Sequence, residues 1–217
     1  MNPRAILFDL DGTLLDTVED MGNALNRVLS AQGFPIHPIE AYRYFIGDGA
    51  VMLVTRALPE DRRDDETVRS CLKAYLGDYA QSWKVKTKPY DGIAEMLDAL
   101  SARGLKLVVL SNKPHEFTRR SVLDLLPRWS FDVVIGQRDG VPLKPDPSAA
   151  LEIAHTLGIP PTDFLYLGDG AGDMQTAVGA GMFPVGATWG YHTAEELQAS
   201  GARVLIERPL EVLGLLD

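Results

Sequence analysis

The sequence has little cysteine, little positive charge and no long apolar run. Among its 217 residues, Cys71 is the one cysteine, which excludes an intramolecular disulfide or a thiolate metal cluster and fits a reducing compartment. The 21 Lys and Arg residues are outnumbered by 30 Asp and Glu residues, which gives a formal net charge of −9. This balance disfavours sequence-independent binding to nucleic acids, because such binding needs clustered basic side chains.

Membrane-spanning and secretory patterns are also missing. No apolar run approaches the roughly 18 residues of a membrane span. The opening residues, MNPRAILFDLDGT, contain only a short apolar stretch and lack a secretory cleavage site. We therefore expect a cytoplasmic protein with neither a membrane nor a nucleic-acid partner.

Six short apolar runs, each ending at a polar or glycine corner, predict β-strands. They lie at 5–10, 105–112, 131–136, 164–169, 183–188 and 203–206. Near-continuous apolar runs are typical of strands that are buried on both faces, as in parallel sheets. Helical patterns at 91–103 and 147–157 lie between them and end at Gly104 and Gly158. The alternation predicts a doubly wound α/β fold with a parallel sheet.

Residues 16–86 interrupt this alternation. They carry helical periodicity at 17–33, 49–58 and 65–83 with no convincing strand. We interpret them as an all-helical cap subdomain inserted into a core formed by residues 1–15 and 87–217, with a hinge where the two connections lie side by side. The alternative is that these helices pack on one face of the sheet.

The first predicted strand ends in two carboxylates, Asp9 and Asp11. Ligands of open α/β sheets bind beyond the carboxyl ends of the strands. Residues two apart in an extended chain point to the same side, roughly 6–7 Å apart, which leaves room for a phosphoryl group or a metal. Like charges this close raise the pKa of one group, so that a nucleophile and a general acid can coexist. Gly12 can turn the chain and offer a backbone N–H to an anion. The alternative for Asp9 and Asp11 is a solvated pair at a strand end.

Other strand ends carry further polar residues. Asp169 and Asp173 supply oxygen ligands of the kind that suit magnesium, although Asp173 could simply cap a helix. Ser111 and Lys144 would complete an anion site with a hydroxyl and a point charge, although a turn serine and a solvated lysine are the ordinary alternatives. The four histidines show no metal-ligand spacing and are interpreted as structural, and we expect Cys71 to be buried rather than nucleophilic.

Four motifs occur in the order FDLDGTLLDT, SNK, KPDP and GDGAGD. Together they resemble the haloacid-dehalogenase-like hydrolase superfamily, and the resemblance covers the whole chain, including a helical cap after the first motif. Within the superfamily the segments IGDGAVMLVTRAL, RDGVPLKPDPSAAL and GAGMFPVGATWGYHTAEEL are similar to phosphoglycolate phosphatases.

The resemblance implies catalytic roles. Asp9 would attack phosphorus and become an aspartyl-phosphate, and Asp11 would protonate the leaving alkoxide and then activate the hydrolytic water. Ser111 and Lys144 would bind the transferring phosphoryl group with help from Asn112 and from Gly12. Lys144 would also neutralise Asp9, keeping it ionised.

The resemblance also implies a magnesium site. Asp9, the backbone carbonyl of Asp11 and Asp169 would hold the ion, with Asp173 acting through water. Gly170 departs from the many relatives that carry Ser or Thr at this position, which puts a minor hydroxyl contact in doubt.

The implied function is a magnesium-dependent phosphatase acting on a small phosphorylated metabolite, with 2-phosphoglycolate as the first choice. An acid at Asp11 favours phosphate esters over haloacids, because a halide leaves without a proton. A phosphosugar mutase, a pyrophosphatase and a non-catalytic phosphate-binding relative remain as alternatives. In the cap, the Gly47–Gly49 turn and Arg56 are candidate substrate contacts, against a plain turn and a solvated arginine. We expect a monomer or a homodimer.

Overall fold

A computed structural model describes residues 2–216 and shows a six-stranded parallel sheet in the order β5-β4-β1-β6-β7-β8. The strands are β1 (Ala5–Phe8), β2 (Leu15–Asp16), β3 (Lys88–Pro89), β4 (Lys106–Pro114), β5 (Val133–Gln137), β6 (Phe164–Gly168), β7 (Phe183–Ala187) and β8 (Val204–Ile206). Every strand that the apolar runs predicted is present, so the predicted α/β fold is confirmed.

Nine α-helices lie within residues 2–216. They are α1 (Val18–Ala31), α2 (Tyr42–Phe45), α3 (Gly49–Ala57), α4 (Asp65–Ser82), α5 (Ile93–Ala102), α6 (His115–Leu125), α7 (Ser148–Leu157), α8 (Ala171–Ala180) and α9 (Ala194–Ala199). Short 3₁₀ turns cover Ile39–Ala41, Glu60–Arg62, Pro161–Asp163 and Pro209–Leu215. Each of these helices is too short or too polar to cross a membrane.

The sheet is covered on both faces, which explains its apolar runs. Along β1, Ile6 and Phe8 pack into a core with α5 and α6. The alternating residues Ala5 and Leu7 pack into a second core with α7 and α8. Because both faces are buried, neither can be polar, and the strands lose the alternation expected of a half-exposed sheet.

The cap, residues 16–86, contains α1 to α4 and a hydrophobic cluster of its own, which includes Leu25, Tyr42, Leu53 and Tyr75. Its two connections to the rest of the chain run side by side, since β2 and β3 form an antiparallel pair. The carboxylate of Asp20 accepts hydrogen bonds from backbone N–H groups of the returning connection. The division of the chain into two domains at these connections stays a prediction.

Candidate active site

The carboxyl ends of β4, β1 and β6 meet beneath the cap at a cavity of about 170 Å³. The strand register places Phe8 beside Val109 and Leu167, so the polar residues that follow each strand project from the same edge. The cavity is lined by nearly all of the predicted site residues, namely Asp9, Asp11, Ser111, Asn112, Lys144, Asp169, Asp173, Gly47, Gly49 and Arg56.

Gly12 lies in a turn after β1, as the sequence predicts. Its φ of +88° is a conformation that favours glycine, and a Cβ there would lie 2.2 Å from an Asp169 carboxylate oxygen. Its N–H donates to the Leu15 carbonyl at 2.9 Å. Gly12 therefore makes room for Asp169, and the anion-binding role of its N–H stays a prediction.

Lys144 is the central cation of the site. Its ammonium lies 2.8 Å from Asp9 Oδ1 and 2.7 Å from Asp173 Oδ1, and its side chain is 4% exposed. It also donates to the Leu110 carbonyl at 3.2 Å. The ion pair with Asp9 and the hydrogen bonds to Asp173 and Leu110 fix the ammonium at the end of the sheet. An arriving anion therefore meets a charge that is already positioned.

The Asn112 side chain fixes the backbone of Lys144 by two hydrogen bonds. The Asn112 side chain accepts from the Lys144 N–H at 2.9 Å and donates to the Lys144 carbonyl at 3.1 Å. The same amide donates to the Gly47 carbonyl of the cap at 2.9 Å. Both amide donors and the acceptor are thus engaged within the protein, so Asn112 orients Lys144 here, and the help in binding phosphate that the resemblance implies stays a prediction.

Three buried carboxylates form a compact cluster, because Asp9, Asp169 and Asp173 each place an oxygen within 4.8 Å of the others. Asp169 accepts from the Thr13 hydroxyl at 2.7 Å and from the Tyr191 N–H at 2.9 Å. Asp173 accepts from the Gly170 N–H at 3.0 Å, so it caps α8 and also belongs to the cluster. Asp173 therefore caps α8, as one interpretation of the sequence predicts, and its role as a magnesium ligand stays a prediction.

The cluster carries more negative charge than Lys144 balances. Burial raises the pKa of Asp169 to about 7, and the neighbouring Asp173 adds to the shift. Burial also raises the pKa of Asp9 well above its ordinary value, against the effect of Lys144. Burial disfavours the Lys144 ammonium, but Asp173 and Asp9 outweigh this and raise its pKa. Lys144 thus lowers the Asp9 pKa, as the resemblance implies, but the burial of Asp9 raises this pKa by more.

This charge excess and the donor set fit a hard divalent cation. Carboxylate oxygens are the ligands that magnesium and calcium prefer, and magnesium uses only a few of them. A cation at the cluster would relieve the repulsion that raises the Asp169 pKa. Asp9, Asp169 and Asp173 are therefore the residues that would hold a metal.

The cap closes the cavity with the turn before α3. Gly47 and Gly49 have φ values of +122° and +85°, and a Cβ on Gly49 would lie 3.1 Å from Leu143. Arg56 lines the cavity, but its guanidinium is paired with Asp48 and donates to the Phe45 carbonyl at 3.2 Å. The Arg56 side chain is thus not simply solvated, and it would have to break its ion pair with Asp48 before it could bind a ligand.

Lys113 and His192 are among the cavity residues to which the sequence analysis assigns no function. Lys113 belongs to the SNK motif, and its ammonium lies 3.0 Å from Asp11 Oδ1. His192 was interpreted as structural, yet it lines the cavity with Nδ1 3.1 Å from the Asp169 carbonyl oxygen. Lys113 could have been predicted as a site residue, because it lies two residues after Ser111 near the end of a predicted strand. His192 lies five residues after the end of β7, and no sequence pattern marks it as a site residue.

The fold and this arrangement agree with the comparisons to known proteins. The haloacid dehalogenase-like hydrolase family matches residues 6–187. The chain belongs to this family. The resemblance seen in the four motifs is therefore confirmed.

Individual relatives carry a more specific name. A phosphoglycolate phosphatase of Xylella fastidiosa is 37% identical over 210 residues, which cover 95% of this chain and 90% of the relative. One from Pseudomonas putida is 35% identical over 210 residues, covering 94% and 76%. A crystal structure from Lactobacillus delbrueckii, named as a candidate phosphoglycolate phosphatase, has a TM-score of 0.93 at 31% identity and covers 100% of this chain and 99% of its own.

Proposed function

We propose that the chain is a magnesium-dependent phosphatase of small phosphate monoesters, with 2-phosphoglycolate as its leading substrate. The observation that carries this proposal is the meeting of Asp9, Asp11 and Lys144 in one buried cavity, beside the carboxylates Asp169 and Asp173. The similarity to phosphoglycolate phosphatases supports the choice of substrate.

The first half-reaction transfers the phosphoryl group to the protein. An Asp9 oxygen forms a bond to phosphorus while the bond from phosphorus to the ester oxygen breaks. Asp11 gives its proton to that leaving oxygen. Lys144 stabilises the charge on the phosphoryl oxygens, and phosphoryl transfer depends mainly on such positioning and electrostatics.

The second half-reaction releases phosphate. Asp11 accepts a proton from water, the water oxygen bonds to phosphorus, and the bond from Asp9 to phosphorus breaks. Asp11 thereby returns to its starting state. Magnesium, when held by Asp9, Asp169, Asp173 and the Asp11 carbonyl, supplies positive charge that lowers the repulsion between the acidic site and an anionic substrate.

The proposal is tested by phosphate release from 2-phosphoglycolate beside sugar phosphates, nucleotides and pyrophosphate, with magnesium and with EDTA. We expect a kcat/KM for 2-phosphoglycolate at least about tenfold above the others and loss of turnover in EDTA. Metal-dependent release that is fastest for another compound would remove 2-phosphoglycolate and keep the phosphatase. Absence of release from every compound would overturn the proposal and favour a mutase or a non-catalytic relative.

Magnesium is expected to stabilise the protein more as the pH rises. The Asp169 pKa is raised from 3.8 to about 7. A raised folded-state pKa contributes stability that is complete below the unfolded pKa and is lost as the pH rises through about 7. Because magnesium binds the carboxylate rather than the acid, the increase in Tm on adding it should be larger at about pH 8 than at about pH 5.5. Calorimetry against EDTA measures this, and an equal increase at both pH values would contradict it. Asp169→Asn should remove most of the difference.

Arg56 is expected to affect carboxylated substrates selectively. Arg56→Ala removes a cation from the cavity wall and leaves Asp48 unpaired there, so a substrate carboxylate would meet a more negative surface. We expect KM for 2-phosphoglycolate to rise by about tenfold and KM for an uncharged alkyl phosphate ester to change less. Steady-state kinetics on both substrates provide the test. Equal changes in the two KM values would remove Arg56 from the substrate site.

A further inference from the structure

Lys113 is a buried cation that the proposed reaction does not use. It follows Asn112 near the carboxyl end of β4, and its side chain is 2% exposed. Its ammonium lies 3.0 and 3.2 Å from the two carboxylate oxygens of Asp11. The Tyr79 hydroxyl accepts a further hydrogen bond from it at 2.8 Å. These contacts direct the ammonium at both oxygens of one carboxylate and at one group of the cap.

Tyr79 belongs to α4 of the cap, whereas Asp11 and Lys113 belong to the sheet. The Tyr79 ring is stacked on Tyr75 with centroids 5.5 Å apart and packs against Phe117 of α6 at 5.2 Å. The sulfur of Met21, from α1 of the cap, lies 3.8 Å from the ammonium. The Lys113 ammonium therefore sits at the boundary between the cap and the core, enclosed on the cap side by two helices.

We propose that Lys113 is the positioning residue for Asp11, and that Tyr79 makes this positioning depend on contact between the cap and the core. The inference rests on the proposed function, in which Asp11 donates a proton to the leaving oxygen. When Asp11 carries its proton, Lys113 still donates to the unprotonated oxygen, so the carboxyl group cannot rotate freely and its O–H is presented in one direction. When the cap moves away, Lys113 loses its Tyr79 partner and its apolar cover, and water can compete for the ammonium.

The choice of leaving group separates the positioning of Asp11 by Lys113 from any effect of Lys113 on folding. An alkoxide leaving group needs the proton of Asp11, whereas a nitrophenolate leaves readily without one. Misplacing a catalytic group by about 1 Å can cost about 100-fold in rate. Loss of Asp11 positioning should therefore slow the alkyl ester 2-phosphoglycolate much more than p-nitrophenyl phosphate. The parameter to compare is kcat/KM, which covers the steps through leaving-group departure and excludes hydrolysis of the aspartyl-phosphate.

The test compares Lys113→Met, Lys113→Arg and Tyr79→Phe on the two substrates in magnesium. For Lys113→Met we expect kcat/KM to fall by about 100-fold for 2-phosphoglycolate and by less than about tenfold for p-nitrophenyl phosphate. Lys113→Arg should recover part of the loss, because it keeps the charge. Tyr79→Phe should give a smaller loss with the same preference. Lys106→Met makes the same change at an exposed position of the same strand and should leave both rates unchanged.

The ratio between the two substrates does not depend on the amount of folded enzyme, so a loss of stability cannot imitate the result. Equal losses for both substrates in Lys113→Met, or no loss at all, would overturn the proposal. If Lys113→Met yields no folded protein, Tyr79→Phe decides, and an unchanged ratio in that variant would overturn the role of the cap. Failure of the wild-type protein to release phosphate from either substrate would instead overturn the proposed function.

Discussion

An Asp9→Asn variant is expected to retain less than about one ten-thousandth of the wild-type kcat/KM for 2-phosphoglycolate, because removal of the nucleophile costs about 10⁶-fold in kcat in a serine protease. The amide of asparagine has nearly the same shape as the carboxylate but is a poor nucleophile. It also removes one negative charge from the buried cluster with Asp169 and Asp173. Activity should therefore disappear without loss of the fold.

The stability of this variant is the second half of the result. Burial raises the Asp9 pKa, which means that the ionised carboxylate is held at a cost in the folded protein. We expect the Tm of Asp9→Asn in EDTA to equal or exceed that of the wild type, as is common when an active-site group is removed. Asp98→Asn is the matched control, since Asp98 is exposed and pairs with Arg128 at 3.1 Å; it should keep full activity. Activity of Asp9→Asn within about tenfold of the wild type would exclude Asp9 as the nucleophile.

The fold could be predicted because its determinants are local. The strands are buried on both faces, so each is a run of apolar residues that ends where the sheet ends, as Phe8 is followed by Asp9. The carboxyl ends of parallel strands share one edge, so strand ends alone brought Asp9, Ser111 and Asp169 to the same cavity. The three longest helices of the cap, α1, α3 and α4, follow from periodicity in the same way, whereas the short helix α2 was not predicted.

The partners of these residues could not be predicted, because they depend on packing between distant segments. Lys113 and Asp11 are far apart in the sequence, and Tyr79 reaches them only because α4 lies over β4. The amide of Asn112 is engaged by Lys144 and Gly47, which no local pattern indicates. The sequence thus predicts which residue types lie at the edge of the sheet. Their hydrogen-bond partners depend on how the cap packs there, which the sequence does not reveal.

Lys144→Met is expected to damage both activity and stability, in contrast to Asp9→Asn. The substitution keeps a long unbranched side chain but removes the ammonium that contacts both Asp9 and Asp173. Removing one partner of a buried ion pair costs about 3–5 kcal/mol, because the remaining charges stay buried without compensation. We expect the free energy of unfolding in EDTA to fall by about that amount, as measured by urea denaturation. Loss of charge stabilisation at the phosphoryl group should lower kcat/KM by about 10²- to 10³-fold.

Magnesium distinguishes this explanation from a simple packing defect. If the lost stability comes from unbalanced carboxylates, a cation bound by Asp9, Asp169 and Asp173 should restore more stability to Lys144→Met than it adds to the wild type. A packing defect would leave the two increments equal. Lys106→Met controls for the loss of a lysine, since the exposed pair of Lys106 with Asp132 should change stability by less than about 1 kcal/mol. Wild-type stability of Lys144→Met in EDTA would show that Lys144 does not balance the cluster, and its proposed part in phosphoryl transfer would then lose its electrostatic basis.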